Sequence, residues 1–103
     1  MSAWQTPEVE QLFEAVLSLE SMEECRLFFE DVCTIKELLD ISQRLKMAKM
    51  LYDGAHYSEV SKATNASTTT ISRVSKCLEY GNGGYKAVLS KLKNKGGENN
   101  EEK

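Results

Sequence analysis

Short hydroxyl side chains crowd one stretch of this chain and stand beside two basic residues. The hydroxyl residues are Ser67, Thr68, Thr69, Thr70, Ser72 and Ser75, and the basic ones are Arg73 and Lys76. Serine and threonine are only moderate helix formers, so stability alone explains a helix built of them poorly. Hydroxyls bond phosphate oxygens and base edges, and a threonine methyl can contact thymine. The run therefore indicates contact with double-stranded DNA; the alternative is a Ser67 cap followed by a solvated threonine face.

The elements that must position this run form a helix-turn-helix pattern between Tyr57 and Leu78. Such a motif joins two short helices through a turn of three or four residues. Ser61 is the small residue expected where the helices cross, and Asn65 is the turn residue that tolerates a left-handed backbone. The apolar anchors of the segment are Val60, Ile71 and Val74.

Side-chain chemistry divides the DNA contacts between phosphates and bases. Lys62 and Lys76 are expected to contact the phosphate backbone, with Lys46 as a further candidate. Thr68, Thr69 and Ser72 are expected to contact base edges, and the free amides around Thr68 and Thr69 point at a phosphate. The full set of predicted DNA-binding residues is Tyr57, Ser58, Lys62, Ser67, Thr68, Thr69, Ser72, Arg73, Ser75 and Lys76.

Charge is distributed unevenly along the 103 residues, whose formal net charge is −3. Residues 1–35 hold eight acidic residues and one basic residue, whereas residues 36–95 hold eleven basic and five acidic ones. The positive excess falls on the part of the chain with the helix-turn-helix pattern, which is typical of a phosphate-binding footprint. The acidic N-terminal third favours an alternative, a helical adaptor that docks its helix-turn-helix on another protein.

Patterns for catalysis or metal binding do not occur in the sequence. Cys25, Cys33 and Cys77 form no CxxC pair, and His56 is the only histidine. A zinc site normally needs four ligands at close paired spacing, and catalysis needs a nucleophile and a base held together. We therefore predict no enzyme activity, no metal and three small buried thiols. No apolar run approaches the ~20 residues of a membrane span, so we predict a cytoplasmic protein without a membrane partner.

Helix signals recur along the chain, and no segment alternates with the period of two that strands require. Capping patterns begin at Thr6, Ser21 and Thr34, and glycine stops follow at Gly54 and Gly81. These signals predict an all-α fold of about six helices, the last running from about residue 85 to 93. We expect one domain over residues 1–95 and a disordered tail over residues 96–103, which has nothing to bury.

Three stretches of the chain resemble the Trp repressor family, in particular its small Trp repressor-like branch. They are C-T-I-K-E-L from Cys33, S-Q-R-L-K-M-A-K-M-L-Y-D-G from Ser42 and A-S-T-T-T-I-S-R-V-S-K-C-L-E-Y-G-N from Ala66. The resemblance implies an intertwined homodimer whose recognition helices enter successive major grooves about 34 Å apart on a palindromic operator. It thus implies a sequence-specific transcriptional regulator, more narrowly a repressor.

The resemblance also implies a small-molecule effector, an amino-acid corepressor, between the long helix and the recognition helix, and no other cofactor. The residues at the matching positions are Thr34, Arg44, Thr70 and Arg73. Arg73 would hold a carboxylate and Arg44 would stack on a planar ring. Val74 stands where the family has glycine and Cys77 where it has serine, changes that make the pocket tighter and less polar. The alternative for the two arginines is a phosphate contact or a salt bridge to Glu37, Asp40 or Glu59.

Overall fold

The computed structural model describes the backbone of residues 3–102 and the side chains of residues 3–95. Its elements are α1 (Pro7–Leu17), α2 (Met22–Val32), α3 (Ile35–Tyr52), α4 (Tyr57–Thr64), α5 (Thr68–Tyr80) and α6 (Gly84–Glu102). Within this part of the chain there is no strand. The predicted all-α fold with about six helices is therefore confirmed.

The first three helices begin at the three predicted N-cap residues. Thr6 Oγ1 accepts a hydrogen bond from Val9 N at 3.2 Å, and Ser21 Oγ accepts one from Glu24 N at 3.1 Å. At the start of α3 the bonds are reciprocal: Thr34 Oγ1 accepts from Glu37 N at 3.1 Å, and Thr34 N donates to Glu37 Oε1 at 2.8 Å. These side chains satisfy amides that the first turn of a helix leaves without partners.

The last helix differs from its predicted bounds, because α6 continues to Glu102. The sequence beyond Lys93 is polar and has no apolar periodicity, so the apolar pattern used for the prediction could not detect the extension. The side chains of residues 96–103 lie outside the described residues, and the prediction that they form a disordered tail stays a prediction. In the described part of the chain, no helix is both long enough and apolar enough to cross a membrane.

Contacts divide the chain into two compact units, Met1–Leu38 and Leu39–Lys103. The prediction of one domain over residues 1–95 stays a prediction. The second unit contains the buried core, in which α5 packs against both α4 and α6. The core side chains are Met47, Ala48, Val60, Ile71, Val74, Leu78 and Leu89.

The first unit exposes its apolar side chains. Neither α1 nor α2 contains a buried residue, although each carries an apolar stripe. Leu17 is 83% exposed and Met22 is 69% exposed. The large apolar residues of this unit with more than a third of their surface exposed are Trp4, Leu12, Phe13, Val16, Leu17, Met22, Leu27, Val32 and Ile35. An exposed apolar surface of this extent is unusual for a monomeric protein and typical of an interaction surface.

Two expectations about burial are wrong. The apolar spacing of α3 predicts that Leu39, Ile41 and Leu45 face inward, but all three side chains are exposed. The prediction that all three thiols are buried is wrong: Cys25 and Cys33 are half-buried, and Cys77 is exposed. Cys77 is exposed because the buried face of α5 follows Val74 and Leu78, one step round the helix.

The left-handed turn at Asn65 generates a stability prediction. Asn65 has φ 59° and ψ 18°, a region in which a Cβ-bearing residue without a local polar side chain is strained. We expect Asn65→Ala to lower the free energy of unfolding by about 1 kcal/mol and Asn65→Gly to lower it by less. Urea unfolding measures both. Asn82→Ala is the matched control, because Asn82 lies in the loop between α5 and α6 but does not itself have a positive φ, and equal losses at both positions would contradict the prediction.

The cap of α3 generates a prediction about pH. Two hydrogen bonds from Thr34, first that of its backbone amide, hold the pKa of Glu37 below its ordinary value of 4.5. A carboxylate with a lowered pKa stabilises the fold above its unfolded-state pKa, and this contribution is lost as pH falls through the folded-state pKa. We expect Thr34→Ala to raise the Glu37 pKa part of the way towards 4.5, as followed by NMR titration. Thr34→Ser should leave that pKa low, and a pKa unmoved by the alanine would refute the side-chain contribution.

Candidate nucleic-acid interface

Three buried side chains hold α4 and α5 together. Val60 and Ile71 are both fully buried, and Val74 is 5% exposed. Full burial of one such side chain contributes about 1.5–3 kcal/mol, so these three residues dominate the packing of the helix pair. Their burial confirms the predicted anchors, and the helix bounds confirm the predicted helix-turn-helix.

Hydrogen bonds fix the turn between α4 and α5. Asn65 takes the left-handed conformation that ends α4, as predicted. Ser61 Oγ donates to the carbonyl of Ala66 at 3.1 Å, so the small residue at the crossing also ties down the turn. The buried Thr64 hydroxyl donates to Val60 O at 2.8 Å and accepts from Ala66 N at 3.2 Å. The turn is therefore rigid, and it sets the direction in which α5 leaves it.

The N-terminus of α5 offers amides to solvent. Ser67 Oγ caps the helix by accepting from Thr70 N at 3.2 Å, and it also lies 3.1 Å from Thr70 Oγ1. The amides of Thr68 and Thr69 precede the first intrahelical hydrogen bond, which Ile71 N makes to Ser67 O at 3.1 Å. Both side chains are exposed. Exposed amides and hydroxyls at a helix N-terminus suit an anionic oxygen such as that of a phosphate.

One exposed stripe runs the length of α5 opposite its buried side, and we call it the outer face. It comprises Thr69, Arg73, Lys76 and Tyr80, which follow at spacings of four, three and four residues. All four are exposed, and Tyr80 is 82% exposed. The outer face thus presents a hydroxyl, two cations and a phenol, a combination suited to base edges and phosphates.

The structure places most of the predicted DNA-binding residues on the surface. Those exposed are Tyr57, Ser58, Lys62, Ser67, Thr68, Thr69, Arg73 and Lys76. Ser72 and Ser75 are only half-buried, on the flanks of the α5 core side, and so have less surface to offer DNA. Lys46, the further candidate, has its Nζ 3.4 Å from the carbonyl of Ala63.

The cations of the helix-turn-helix differ from those elsewhere in the same unit. Asp53 attracts two lysines, Lys49 Nζ at 3.3 Å and Lys93 Nζ at 3.8 Å. By contrast, no ion pair involves Lys62, Arg73 or Lys76 in the part of the chain described. Their positive charge is not neutralised by the chain and is available to phosphate.

A cleft of about 270 Å³ lies beside α5, and we call it the arginine cleft. Its lining residues are Arg44, Thr70, Arg73, Val74, Cys77 and Tyr85. Three of the four residues that the resemblance assigned to a ligand pocket are therefore together, with Arg73 shared between this cleft and the outer face. No salt bridge from Arg44 or Arg73 occurs among the residues described.

The fourth predicted pocket residue, Thr34, lies in the N-terminal unit, where its side chain caps α3. The carboxylates considered as salt-bridge partners for the arginines include two with other roles. Glu37 bonds to Thr34, and Glu59 Oε1 accepts from the backbone N of His56 at 2.8 Å. His56 is the residue before α4, and its backbone amide takes part in the cap at the N-terminus of that helix.

Two site residues were missed by the sequence reasoning. Tyr80 extends the outer face, and its spacing of four residues from Lys76 was the signal that could have identified it. Tyr85 lines the arginine cleft from α6, and only the packing of α6 on α5 brings it there. Within the described residues, no cluster of three His, Cys, Asp or Glu residues could hold a metal ion.

Comparison with known proteins agrees with this geometry. The family model described as Trp repressor protein matches residues 7–93. The uncharacterized protein YerC of Bacillus subtilis (strain 168) is 49% identical over 86 residues, which are 84% of this chain and 83% of YerC.

Two solved structures share the fold. A TrpR-like protein from Eubacterium eligens is 52% identical, with a TM-score of 0.81 over 85% of this chain and 91% of that one. A Staphylococcus aureus protein, described as a candidate Trp repressor, is 42% identical with a TM-score of 0.81 over 86% of this chain and 89% of its own. The six helices, the helix-turn-helix and the match over residues 7–93 together lead to one conclusion: this chain belongs to the Trp repressor family, whose members are helix-turn-helix DNA-binding regulators.

Proposed function

We propose that this protein is a sequence-specific transcriptional repressor that reads a palindromic operator as a homodimer. The observation that carries the proposal is the outer face of α5, which holds Thr69, Arg73 and Lys76 exposed and without ion pairs among the described residues. In a helix-turn-helix protein the second helix enters the major groove. Thr69 near its N-terminus then meets base edges, while Lys76 meets the phosphate backbone.

Dimerisation is the second element of the proposal. The exposed apolar stripes of α1 and α2 need a cover, and a second copy provides one for both chains at once because a two-fold interface uses the same surface twice. Three apolar side chains of α3 outside the N-terminal unit are also exposed and need a cover: Leu39, Ile41 and Leu45. A two-fold dimer also presents two copies of α5, which is the arrangement that a palindromic operator requires.

Control by a small effector is the third element. The arginine cleft shares Arg73 with the outer face, so a ligand held there changes the position or charge of a side chain that faces DNA. An effector in the cleft therefore alters operator affinity through direct contact rather than over a distance.

Selection of fragments from random duplexes by the purified protein, at moderate salt and without added ligand, tests the DNA proposal. Recovery of a two-fold symmetric motif supports a dimeric DNA reader. If no motif is enriched either alone or with amino acids that include tryptophan, and no duplex binds with a salt dependence, the proposal fails. The alternative, an adaptor that docks its helix-turn-helix on protein, is then favoured by the acidic N-terminal third and the isoelectric point near 5.2.

The division between base and phosphate contacts predicts two kinds of mutant. Thr69→Ala is expected to change base preference by about 1–3 kcal/mol at one operator position. Lys76→Ala is expected to weaken binding to all duplexes and to reduce the slope of log K against log salt by about 0.9. Gel shifts at several salt concentrations measure both effects.

The control for the lysine is Lys91→Ala, which removes an exposed charge from α6. This variant should leave the salt slope close to that of the wild type. Equal losses on operator and random DNA for both Thr69→Ala and Lys76→Ala would contradict the assigned roles.

The dimer proposal predicts the effect of a charge at Leu17, which is 83% exposed in the single chain. If a second copy covers this side chain, Leu17→Glu loses about 1.5–3 kcal/mol of apolar burial. Because each dimer carries the substitution twice, the loss per dimer is about 3–6 kcal/mol. The dimer dissociation constant is then expected to rise by at least about 100-fold, as measured by sedimentation equilibrium. Gln11→Glu, which adds the same charge at an exposed polar position of α1, should have little effect.

Removal of residues 1–20 gives an independent measurement. An intertwined dimer should yield insoluble or unfolded material, because α1 contributes to the cover of the partner chain. A folded, soluble and monomeric truncation would refute the intertwined arrangement.

A further inference from the structure

The arginine cleft has an unusual chemical lining. Its charged groups are the guanidinium groups of Arg44 and Arg73, and its hydroxyls are those of Thr70 and Tyr85. A guanidinium group only donates hydrogen bonds, and a hydroxyl can donate one. None of the described residues that line the cleft is a carboxylate. The side chains of the cleft therefore provide many donors and two positive charges, with no negative charge among them.

Neither Arg44 nor Arg73 is in an ion pair within the part of the chain described. The third polar group of the cleft, the Thr70 hydroxyl of α5, is held in place by Ser67 Oγ at 3.1 Å. A ligand that accepts hydrogen bonds and carries two negative charges would match this lining, since charge-assisted bonds to guanidinium are the stronger ones.

The cleft is small but not closed off. Its volume is about 270 Å³, slightly below the range of roughly 300–1,000 Å³ that is usual for small-molecule sites. A neighbouring, mainly apolar cavity of about 560 Å³ shares Cys77 and Tyr85 with it. The polar groups of the cleft by themselves span a compact anion.

An amino acid is a poorer match to the same groups. Its carboxylate can bond to one arginine, but its ammonium group adds a positive charge beside the two guanidinium groups, and none of the described residues that line the cleft is a carboxylate that could offset it. One carboxylate also leaves one of the two arginine charges without a partner.

We propose that the arginine cleft binds a small phosphate monoester as a dianion. Arg44 and Arg73 hold the phosphoryl oxygens from two sides, and the Thr70 and Tyr85 hydroxyls donate to them. The inference rests on the effector site of the proposed function and replaces the amino-acid ligand expected from the resemblance. A backbone phosphate of DNA is a diester with one negative charge, so charge distinguishes a free effector from bound DNA.

The test is an NMR titration of the full chain without DNA, at constant ionic strength and about pH 7.5, where a monoester with a second pKa near 6 is a dianion. The probes are methyl phosphate, dimethyl phosphate and L-tryptophan. We expect methyl phosphate to shift the amide signals of Thr70, Val74 and Cys77 in a saturable way. We expect it to bind about tenfold more tightly than dimethyl phosphate or tryptophan.

Variants identify the site. Arg44→Gln should weaken methyl phosphate binding about tenfold or more, because a charge-assisted bond is lost. Arg44 is exposed, so this change does not disturb the core. Arg44→Lys should weaken binding less, since it keeps the charge but loses the planar fork. Lys91→Gln, an equal loss of charge on an exposed part of α6, should bind as the wild type does.

Three results would overturn the inference: equal affinity for methyl and dimethyl phosphate, tighter binding of tryptophan, or unchanged methyl phosphate binding in Arg44→Gln. Equal affinity for the two phosphates would mark the cleft as a contact for the DNA backbone. Because the titration contains no DNA, its failure is distinct from failure of the duplex selection. If the protein selects an operator but does not bind methyl phosphate, only the phosphate inference fails and the DNA-binding proposal stands.

Discussion

Burial of Ile71, Val74 and Leu78 sets the rotation of α5 about its axis, and the positions of the site side chains on that helix depend on it. These three residues follow at spacings of three and four, so they share one side of the helix. Once that side is packed against α4 and α6, Thr69, Arg73 and Lys76 must point away from the core. Thr70 and Cys77 lie between the two sides and so line the arginine cleft. A rotation of α5 by one residue would bury a charged side chain, Arg73 in one direction and Glu79 in the other.

Arg73 lies where the outer face and the arginine cleft meet. In the function that we propose, this side chain serves two partners, an anion in the cleft and a phosphate or base in the groove. Competition between such partners, or their joint neutralisation of the same charge, is a direct physical basis for coupling ligand binding to DNA binding. The rigid turn at Asn65 supports this arrangement, because hydrogen bonds from Ser61 and Thr64 limit how α5 can move relative to α4.

The N-terminal unit follows a different principle. Its helices have well-formed caps at Thr6 and Ser21, so local structure is specified there as clearly as in the rest of the chain. What the single chain does not provide is burial, since the apolar stripes of α1 and α2 stay exposed. Separation of helix formation from burial is expected for a segment whose core forms only in an assembly.

The sequence by itself determined the helices, because caps, glycine stops and apolar spacing are local signals that act within a few residues. It also identified Asn65 as the left-handed turn residue and Val60, Ile71 and Val74 as anchors, since their roles follow from backbone preference and periodicity. Resemblance to the family placed Arg44, Thr70 and Arg73 near one another. The extent of α6 was not predictable, because its last residues lack an apolar pattern. The exposure of Cys77 follows from the side of α5 that is buried, which tertiary packing selects. The place of Tyr85 in the cleft was decided only by tertiary structure, because it depends on how α6 packs on α5, a contact between side chains that no spacing along the chain encodes.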